Sequence, residues 1–314
     1  LHRLIRRQRQ MCIRDRQLNK ICKVLVHTKL LPDTFTCKLL YYRKFKKWPN
    51  LNNPQDINEK MMWLLFNSDT SEWTNLADKY KVREFLEKKG CGELLVKLYG
   101  HYEDVDDIDF NSLPNKFVIK SNNGFGTVKI VKDKTLLDIP KTKIELKSWI
   151  AEPYGYLTGE MHYTKIRRCI VIEELLEQDP KLSSSLIDYK IWCMNGKAYS
   201  CMCCTNRNIK KHTTDYNYYE LPNWTIRKDL IPEHYRNGSV VPKPKHLDEM
   251  ITYAEKLAED FPLVRVDLYE SNDKVYFGEM TFTCNACHMS FFTDEELLRM
   301  GKAVNLSGLI KKTK

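Results

Sequence analysis

Val118-Ile119-Lys120-Ser121-Asn122-Asn123-Gly124-Phe125-Gly126-Thr127 ends a short apolar run on a lysine and passes at once into a loop with two glycines. In that order a fixed positive charge stands beside successive backbone N–H groups that can cradle an anion. Glycines at 124 and 126 remove side chains where a phosphate must approach the main chain. Taken alone, the same pattern also describes an ordinary hairpin with an exposed lysine. It is not a Walker loop, since no Lys-Ser/Thr pair closes it, and a dinucleotide fingerprint would need a third glycine. In protein kinases the glycine loop precedes the strand lysine, and here the order is reversed.

Far downstream, Leu263–Tyr269 and Lys274–Thr283 read as a hairpin around Ser271-Asn272-Asp273-Lys274. Strand alternation places Arg265, Asp267 and Tyr269 on one face, with Val264, Val266 and Leu268 toward a core. Glu279 then falls opposite Asp267 or within one residue of it. Two carboxylates that close repel unless a cation lies between them. Carboxylate oxygens completed by phosphate and water suit Mg²⁺. The plain alternative is a solvated polar face on which Arg265 neutralises Asp267. Between the two segments, Val171-Ile172-Glu173-Glu174-Leu175-Leu176 is a β-branched run ending in acids. Its main chain can pair with a flat ring and its carboxylates with a ribose. A buried strand running into an acidic helix start explains it equally well.

A chain of 314 residues fits one large or two ordinary domains. The net charge of +10 is concentrated at the ends. Residues 1–16 hold six arginines and one aspartate, and Lys311, Lys312 and Lys314 follow at the other end, which leaves about +2 between them. That is too little for a nucleic-acid footprint. No apolar run approaches the ~20 residues of a membrane helix. The basic N-terminus lacks an apolar h-region, and the 11 cysteines then suit free thiols in a cytoplasmic protein. Residues 1–16 include Arg9-Gln10-Met11-Cys12-Ile13-Arg14-Asp15-Arg16, similar to translated sequencing-adaptor read-through; the alternative is a basic disordered arm.

Residues 17–75 are expected to be helical, with a helix following Asn53–Asp56. A second helix is expected over 77–89 with Gly90 as its stop, then strands at 94–99, 117–120 and 128–131. An amphipathic stretch spans 144–150, and Asn195-Gly196 should turn a hairpin between 189–194 and 197–202. Residues 205–246, with four prolines, read as loop-rich, and 247–260 as a helix. The mixture of strands and helices argues an α+β or α/β protein.

In this order, the strand lysine and glycine loop, the VIEELL run, and Arg265-Val266-Asp267 with Gly278-Glu279 on a terminal hairpin resemble the ATP-grasp superfamily. The closer resemblance is to its TupA-like branch. It is carried by Ala77-Asp78-Lys79-Tyr80-Lys81-Val82-Arg83, by Asp188-Tyr189-Lys190-Ile191-Trp192-Cys193-Met194-Asn195-Gly196-Lys197, and by Val264–Tyr269 with Tyr276–Phe282. The resemblance spans roughly 55–305. It implies an α+β ATP-grasp fold of two lobes with nucleotide between them, the first over 76–172 and the second over 173–314, behind a helical region at 17–75. Lys120 would hold a phosphate, and Asn123, Gly124, Phe125, Gly126 and Thr127 would cover the triphosphate of ATP. Glu173, Glu174 and Leu175 would form the adenine linker. Lys190 would be a second basic contact, Arg265 would face the reacting phosphoryl group, and Asp267 and Glu279 would bind Mg²⁺. Many relatives carry asparagine where this chain has Thr281, a departure in the metal ligands. The reaction implied is ATP-driven ligation of a carboxylate-bearing small molecule or glycan to an amine, in synthesis of bacterial cell-surface polysaccharide or teichuronopeptide.

Other motifs point elsewhere. Cys284-Asn285-Ala286-Cys287-His288 matches the c-type haem pattern, whose attachment normally requires export. Cys201, Cys203 and Cys204 could join Cys284, Cys287 and His288 around zinc if the segments meet. Asp107-Ile108-Asp109 is formally the pattern of a glycosyltransferase, which is the rival enzyme class. A nucleotide-binding module without catalysis is the third reading. Tyr216, Tyr218, Tyr219 and Trp224 could stack on a sugar, although packing into a core is the simpler expectation.

Overall fold

The computed structural model describes residues 32–124, 126–151, 154–208, 211 and 213–309. The segment 1–16 and Phe125 of the glycine loop lie outside the described residues. Three helices open the described chain: α1 (Asp33–Phe45), α2 (Ile57–Asn67) and the short α3 (Trp73–Leu76). Asp56 starts α2 by accepting from Glu59 N at 2.9 Å. The Glu59 carboxylate in turn accepts from Gln55 N and Asn50 N, both at 2.8 Å. Reciprocal capping of this kind satisfies donors that a helix end leaves free.

The expected helix over 77–89 is shorter than its sequence suggests. Asp78 Oδ1 accepts from Tyr80 N at 2.8 Å and Lys81 N at 3.2 Å, a local bonding by which aspartate competes with helix. Residues 77–81 are therefore a turn, and α4 runs only over Val82–Lys88. Gly90 follows at φ +60°, the left-handed stop expected of it.

A four-stranded antiparallel sheet comes next, in the order β1-β4-β2-β3. Its strands are β1 (Leu98–Tyr102), β2 (Phe117–Ser121), β3 (Val128–Val131) and β4 (Ile170–Glu173). The strand expected at 94–99 begins later because Gly92–Leu94 is a turn of 3₁₀ helix and because β4, its partner, reaches only from Tyr102 to Leu98. Helix α5 (Ile139–Ala151) covers this sheet with Leu146, and the short α6 (Met161–Thr164) precedes β4.

The second sheet is six-stranded and antiparallel, ordered β10-β9-β5-β6-β7-β8. Its strands are β5 (Asp188–Met194), β6 (Lys197–Asn208), β7 (Thr213–Glu220), β8 (Thr225–Ile226), β9 (Leu263–Ser271) and β10 (Lys274–Thr281). Asn195 at φ 51° and Gly196 at φ 76° turn β5 into β6, as a two-residue hairpin requires. The loop-rich region 205–246 also holds strand: β6 continues to Asn208, and β7 pairs with it from Ser200 to Asn208. Two threonines and three tyrosines in β7 suit a pleated, half-buried surface. Tyr218 and Tyr219 are buried in the core, and Trp224 stacks on Tyr219 at 4.1 Å, so packing claims these aromatics.

Helix α7 (Leu247–Ala258) lays Met250, Ala254 and Leu257 against this sheet. The last helix, α8 (Asp294–Ala303), meets α2 closely: a Cβ on Gly301 would stand 2.1 Å from Gln55 O. Asn58 Nδ2 also donates to Met289 O at 3.1 Å. The N-terminal helices are thus part of the larger core, while the four-stranded sheet has a core of its own around Phe117, Ile119, Leu146 and Ile172. Among the described residues no helix is long and apolar enough to cross a membrane.

Candidate functional site

Adjacent strands of the larger sheet set out two rows of charged side chains. In the first, Lys190 of β5 pairs in register with Asp267 of β9, which pairs with Glu279 of β10. In the next, two residues along, Trp192 pairs with Arg265, which pairs with Thr281. Residues two apart on a strand share a face, so all of these side chains stand together, with Val264, Val266 and Leu268 buried beneath. Arg265 Nε donates to Asp267 Oδ1 at 2.6 Å, and its Nη2 reaches Asp267 Oδ2 at 2.8 Å, Glu279 Oε1 at 3.0 Å and Thr281 Oγ1 at 3.0 Å. Lys190 Nζ donates to Asp267 Oδ2, the oxygen that also accepts from Arg265 Nη2, and lies 3.7 Å from Asp188, which also pairs with Arg207.

The Asp267–Glu279 pairing depends on one glycine. Counted back from the turn, unbroken pairing would set Gly278 opposite Asp267 and Glu279 opposite Val266. A bulge between Phe277 and Glu279 shifts the register and brings Glu279 to Asp267. A bulge gives one strand two residues against one on its partner. A Cβ on Gly278 would meet the Tyr269 ring at 2.9 Å and Asp267 O at 3.0 Å. Gly278→Val is therefore expected to cost about 1–3 kcal/mol in denaturant unfolding, as overpacking does. An unchanged midpoint would show that the bulge tolerates a side chain.

The electrostatics favour the charged form of Glu279 and oppose that of Asp267. Burial works against the ionised form of Glu279, but Lys79, Lys190 and Arg265 outweigh it and hold the carboxyl below the usual carboxylate range. Burial also pushes Asp267 upward, with Arg265 and Lys190 opposing. The donor set fits Mg²⁺, which is bound through one or two carboxylates completed by substrate phosphates. Asp267 and Glu279 would be those carboxylates, with Thr281 Oγ1 beside them, 3.2 Å from Glu279 Oε1. Among the described residues no three His, Cys, Asp or Glu side chains come together as a metal site, so the two cysteine segments do not form a zinc centre there. Those cysteines are buried thiols.

The smaller sheet contributes the other wall. Lys120 Nζ, at the end of β2, donates to Glu173 Oε2 on β4 at 2.8 Å. Arg83 of α4 reaches Glu173 Oε1 at 3.5 Å and donates to Val96 O at 3.1 Å. The glycine loop is pinned at its base: Asn122 Nδ2 donates to Arg167 O and Cys169 N donates to Asn122 Oδ1, each at 2.9 Å. Asn123 is buried, and Ser121 Oγ meets Thr127 Oγ1 at 2.5 Å. Gly126 is at φ +79°, whereas a Cβ on Gly124 would crowd Thr127 Oγ1 at 3.2 Å. Glu174 and Leu175 leave β4 in irregular chain leading to β5, with Glu174 N donating to Lys97 O at 2.9 Å. The acidic helix start considered for this run is absent.

Lys79, to which no sequence motif assigns a role, joins the walls. From the turn before α4 it donates to Gly124 O at 2.9 Å and stands 3.8 Å from Glu279 Oε2. Lys79, Arg83, Val96, Lys120, Glu173, Phe277 and Gly278 line one narrow cleft between the sheets, with about 20 Å³ left open. That is room for little more than a water, so a nucleotide ring placed here must displace the Lys120–Glu173 pair. The sign that would have picked out Lys79 is Asp78 beside it, whose side chain bonds the turn and fixes where the lysine starts.

The family described as TupA-like ATPgrasp matches residues 59–305. The chain belongs to the TupA-like ATP-grasp family. Its α+β architecture, with a helical region ahead of two sheets, is the ATP-grasp fold expected from the sequence. Among solved structures, D-alanine–D-alanine ligase from Bacillus anthracis aligns with this TupA-like chain at 14% identity, over 76% of this chain and 65% of that one, with a TM-score of 0.43. The same enzyme from Helicobacter pylori aligns at 14% identity over 79% and 69%, TM-score 0.40. An L-amino acid ligase from Bacillus licheniformis aligns at 14% identity over 71% and 44%, TM-score 0.40. The TupA-like chain thus spans less than two thirds of the first of these proteins. No curated protein matches it.

Proposed function

We propose that the protein is an ATP-dependent ligase that joins a carboxylate to an amine through an acyl phosphate. The observation that carries this reading is the cleft itself. A strand lysine with its glycine loop, and a pair of cross-strand carboxylates, come from segments over a hundred residues apart and face one another through Lys79. MgATP, when bound, supplies the phosphoryl group that activates the carboxylate. The amine then displaces phosphate at the acyl carbon and loses its proton.

In this reading Lys120 and the backbone of Asn123–Thr127 hold the phosphates, Phe125 included as part of that loop. Glu173, Glu174 and Leu175 border the base and ribose. Asp267, Glu279 and Thr281 hold the metal. Arg265 and Lys190 neutralise charge on the reacting phosphoryl group, so that catalysis is positioning and charge stabilisation. A small molecule or glycan of bacterial cell-surface polysaccharide or teichuronopeptide synthesis, handled in the cytoplasm, is the proposed substrate class. That part rests on the resemblance of the sequence motifs to the TupA-like branch.

Lys120→Ala is expected to weaken MgATP binding by about tenfold to a hundredfold, the weight of one charge-assisted hydrogen bond, with an unchanged circular dichroism spectrum. Unaltered affinity in calorimetry would remove the phosphate role. The activity is tested by phosphate release from ATP across a panel of amino acids and uronic-acid glycans. Release that requires a carboxylate supports the ligase. Turnover of a sugar nucleotide without ATP would replace it with a glycosyltransferase.

A further inference from the structure

We propose that the outward face of α1, with the turn that follows it, docks on the surface of an anionic lipid membrane. Helix α1 buries Thr36, Cys37 and Tyr41. Phe35 and Tyr42, seven residues apart, share the opposite face. The helix ends at Lys46, whose φ of 59° is left-handed and whose N–H donates to Tyr42 O at 2.8 Å. The chain folds back there, so that Trp48 stacks on Tyr42 at 4.8 Å and lies 6.2 Å from Phe35. Phe35, Tyr42 and Trp48 are 42%, 39% and 52% exposed, and no other aromatic side chain among the described residues is as open to water. Apolar residues scattered singly on a surface need no explanation, but a contiguous ridge of them marks a contact site.

The charge around this ridge chooses the partner. Between 32 and 50 the chain carries Lys38, Arg43, Lys44, Lys46 and Lys47, with Asp33 as the one acid. Lys47 lies 3.8 Å from Asp56, and its side chain stays mostly in water. Lys38, Arg43, Lys44 and Lys46 have no carboxylate at ion-pair distance among the described residues. Each such cation near an anionic bilayer strengthens binding about fivefold. Trp and Tyr settle at the level of the headgroups, where an apolar ring body meets acyl chain and its polar tip meets water.

A single-stranded nucleic acid fits the ridge less well. Its bases stack on free ring faces, and Tyr42 and Trp48 already use a face of each ring on one another. The contact is peripheral: α1 has 13 residues, too few to span a bilayer, and lies on the surface with its aromatic side down. No residue of the ridge lines the nucleotide cleft, so this inference stands apart from the ligase reading, and binding is measured without ATP.

The test is co-sedimentation of the full chain with vesicles of phosphatidylcholine alone and of phosphatidylcholine mixed equally with phosphatidylglycerol. Binding is expected to the mixed vesicles only, and to weaken as salt is raised. Lys38→Gln/Arg43→Gln/Lys46→Gln should weaken it by about a hundredfold, and Phe35→Ser/Tyr42→Ser/Trp48→Ser by about tenfold or more. Circular dichroism should be unchanged in both, because the substituted side chains face water. The unsubstituted chain provides a check free of folding effects: its tryptophan emission should move to the blue on the mixed vesicles, and Trp48→Phe should abolish that move while leaving binding in place. Absence of binding to the mixed vesicles, or an emission shift that survives Trp48→Phe, would overturn the proposal. Full binding by the serine variant would do the same, placing the contact elsewhere in the chain. Capture of a single-stranded RNA oligonucleotide with none of the vesicles would replace the membrane with nucleic acid.

Discussion

Glu279→Gln is expected to lower magnesium-dependent ATP turnover by about a hundredfold or more, the usual weight of one electrostatic group aimed at a reacting centre. The amide keeps the shape of the side chain and removes its charge. Glu279 is 35% exposed at its side chain, so water can solvate the amide, and melting should move little, as for pairs near the surface. Arg265 Nη2 retains Asp267 at 2.8 Å and Thr281 at 3.0 Å, so the arginine is not left unpaired. Phosphate release measured across a magnesium titration separates the outcomes. A variant that turns over normally at saturating magnesium takes Glu279 out of metal binding.

Asp267→Asn is expected to act on the fold itself. Asp267 is 1% exposed and stands between Arg265 and Lys190. Removing its charge leaves two cations side by side out of water, and breaking a buried pair in this way costs about 3–5 kcal/mol. Adding Lys190→Met to the asparagine variant should recover part of that loss, because Lys190 and Arg265 then no longer share one site with only Asp188 and Glu279 to balance them. Denaturant unfolding of the wild type, both single variants and the double variant gives the coupling. Losses that simply add would mean that Asp267 and Lys190 do not act as a unit. Nucleotide turnover should stay lost in the double variant, since recovery of the fold does not restore a metal ligand.

Much of the larger sheet was legible in the sequence because its signals are local. Alternation in 263–269 and the Asn195-Gly196 turn each depend on a few neighbouring residues. The face shared by Arg265, Asp267 and Tyr269 follows directly from strand geometry. What escaped was non-local or competitive. The bulge at Gly278 is a matter of pairing with Asp267 and Tyr269, and alternation alone left Glu279 uncertain by one residue. Asp78 diverted 77–81 from helix into a turn, so Lys79 was hidden inside an apparent helix. β7 is hidden in a loop-rich stretch because the nearby prolines outweigh its threonines and tyrosines, and only β6 beside it makes it a strand.

The single ammonium of Lys79 is shared by the tip of the glycine loop and the rim of the paired acids. A loop tethered this way cannot lift without shifting the charge balance next to Glu279. Flexing of the loop and the acidity of the carboxylate it overlooks are consequently one coupled degree of freedom, and a substitution that stiffens the loop should retune the opposite wall without touching it.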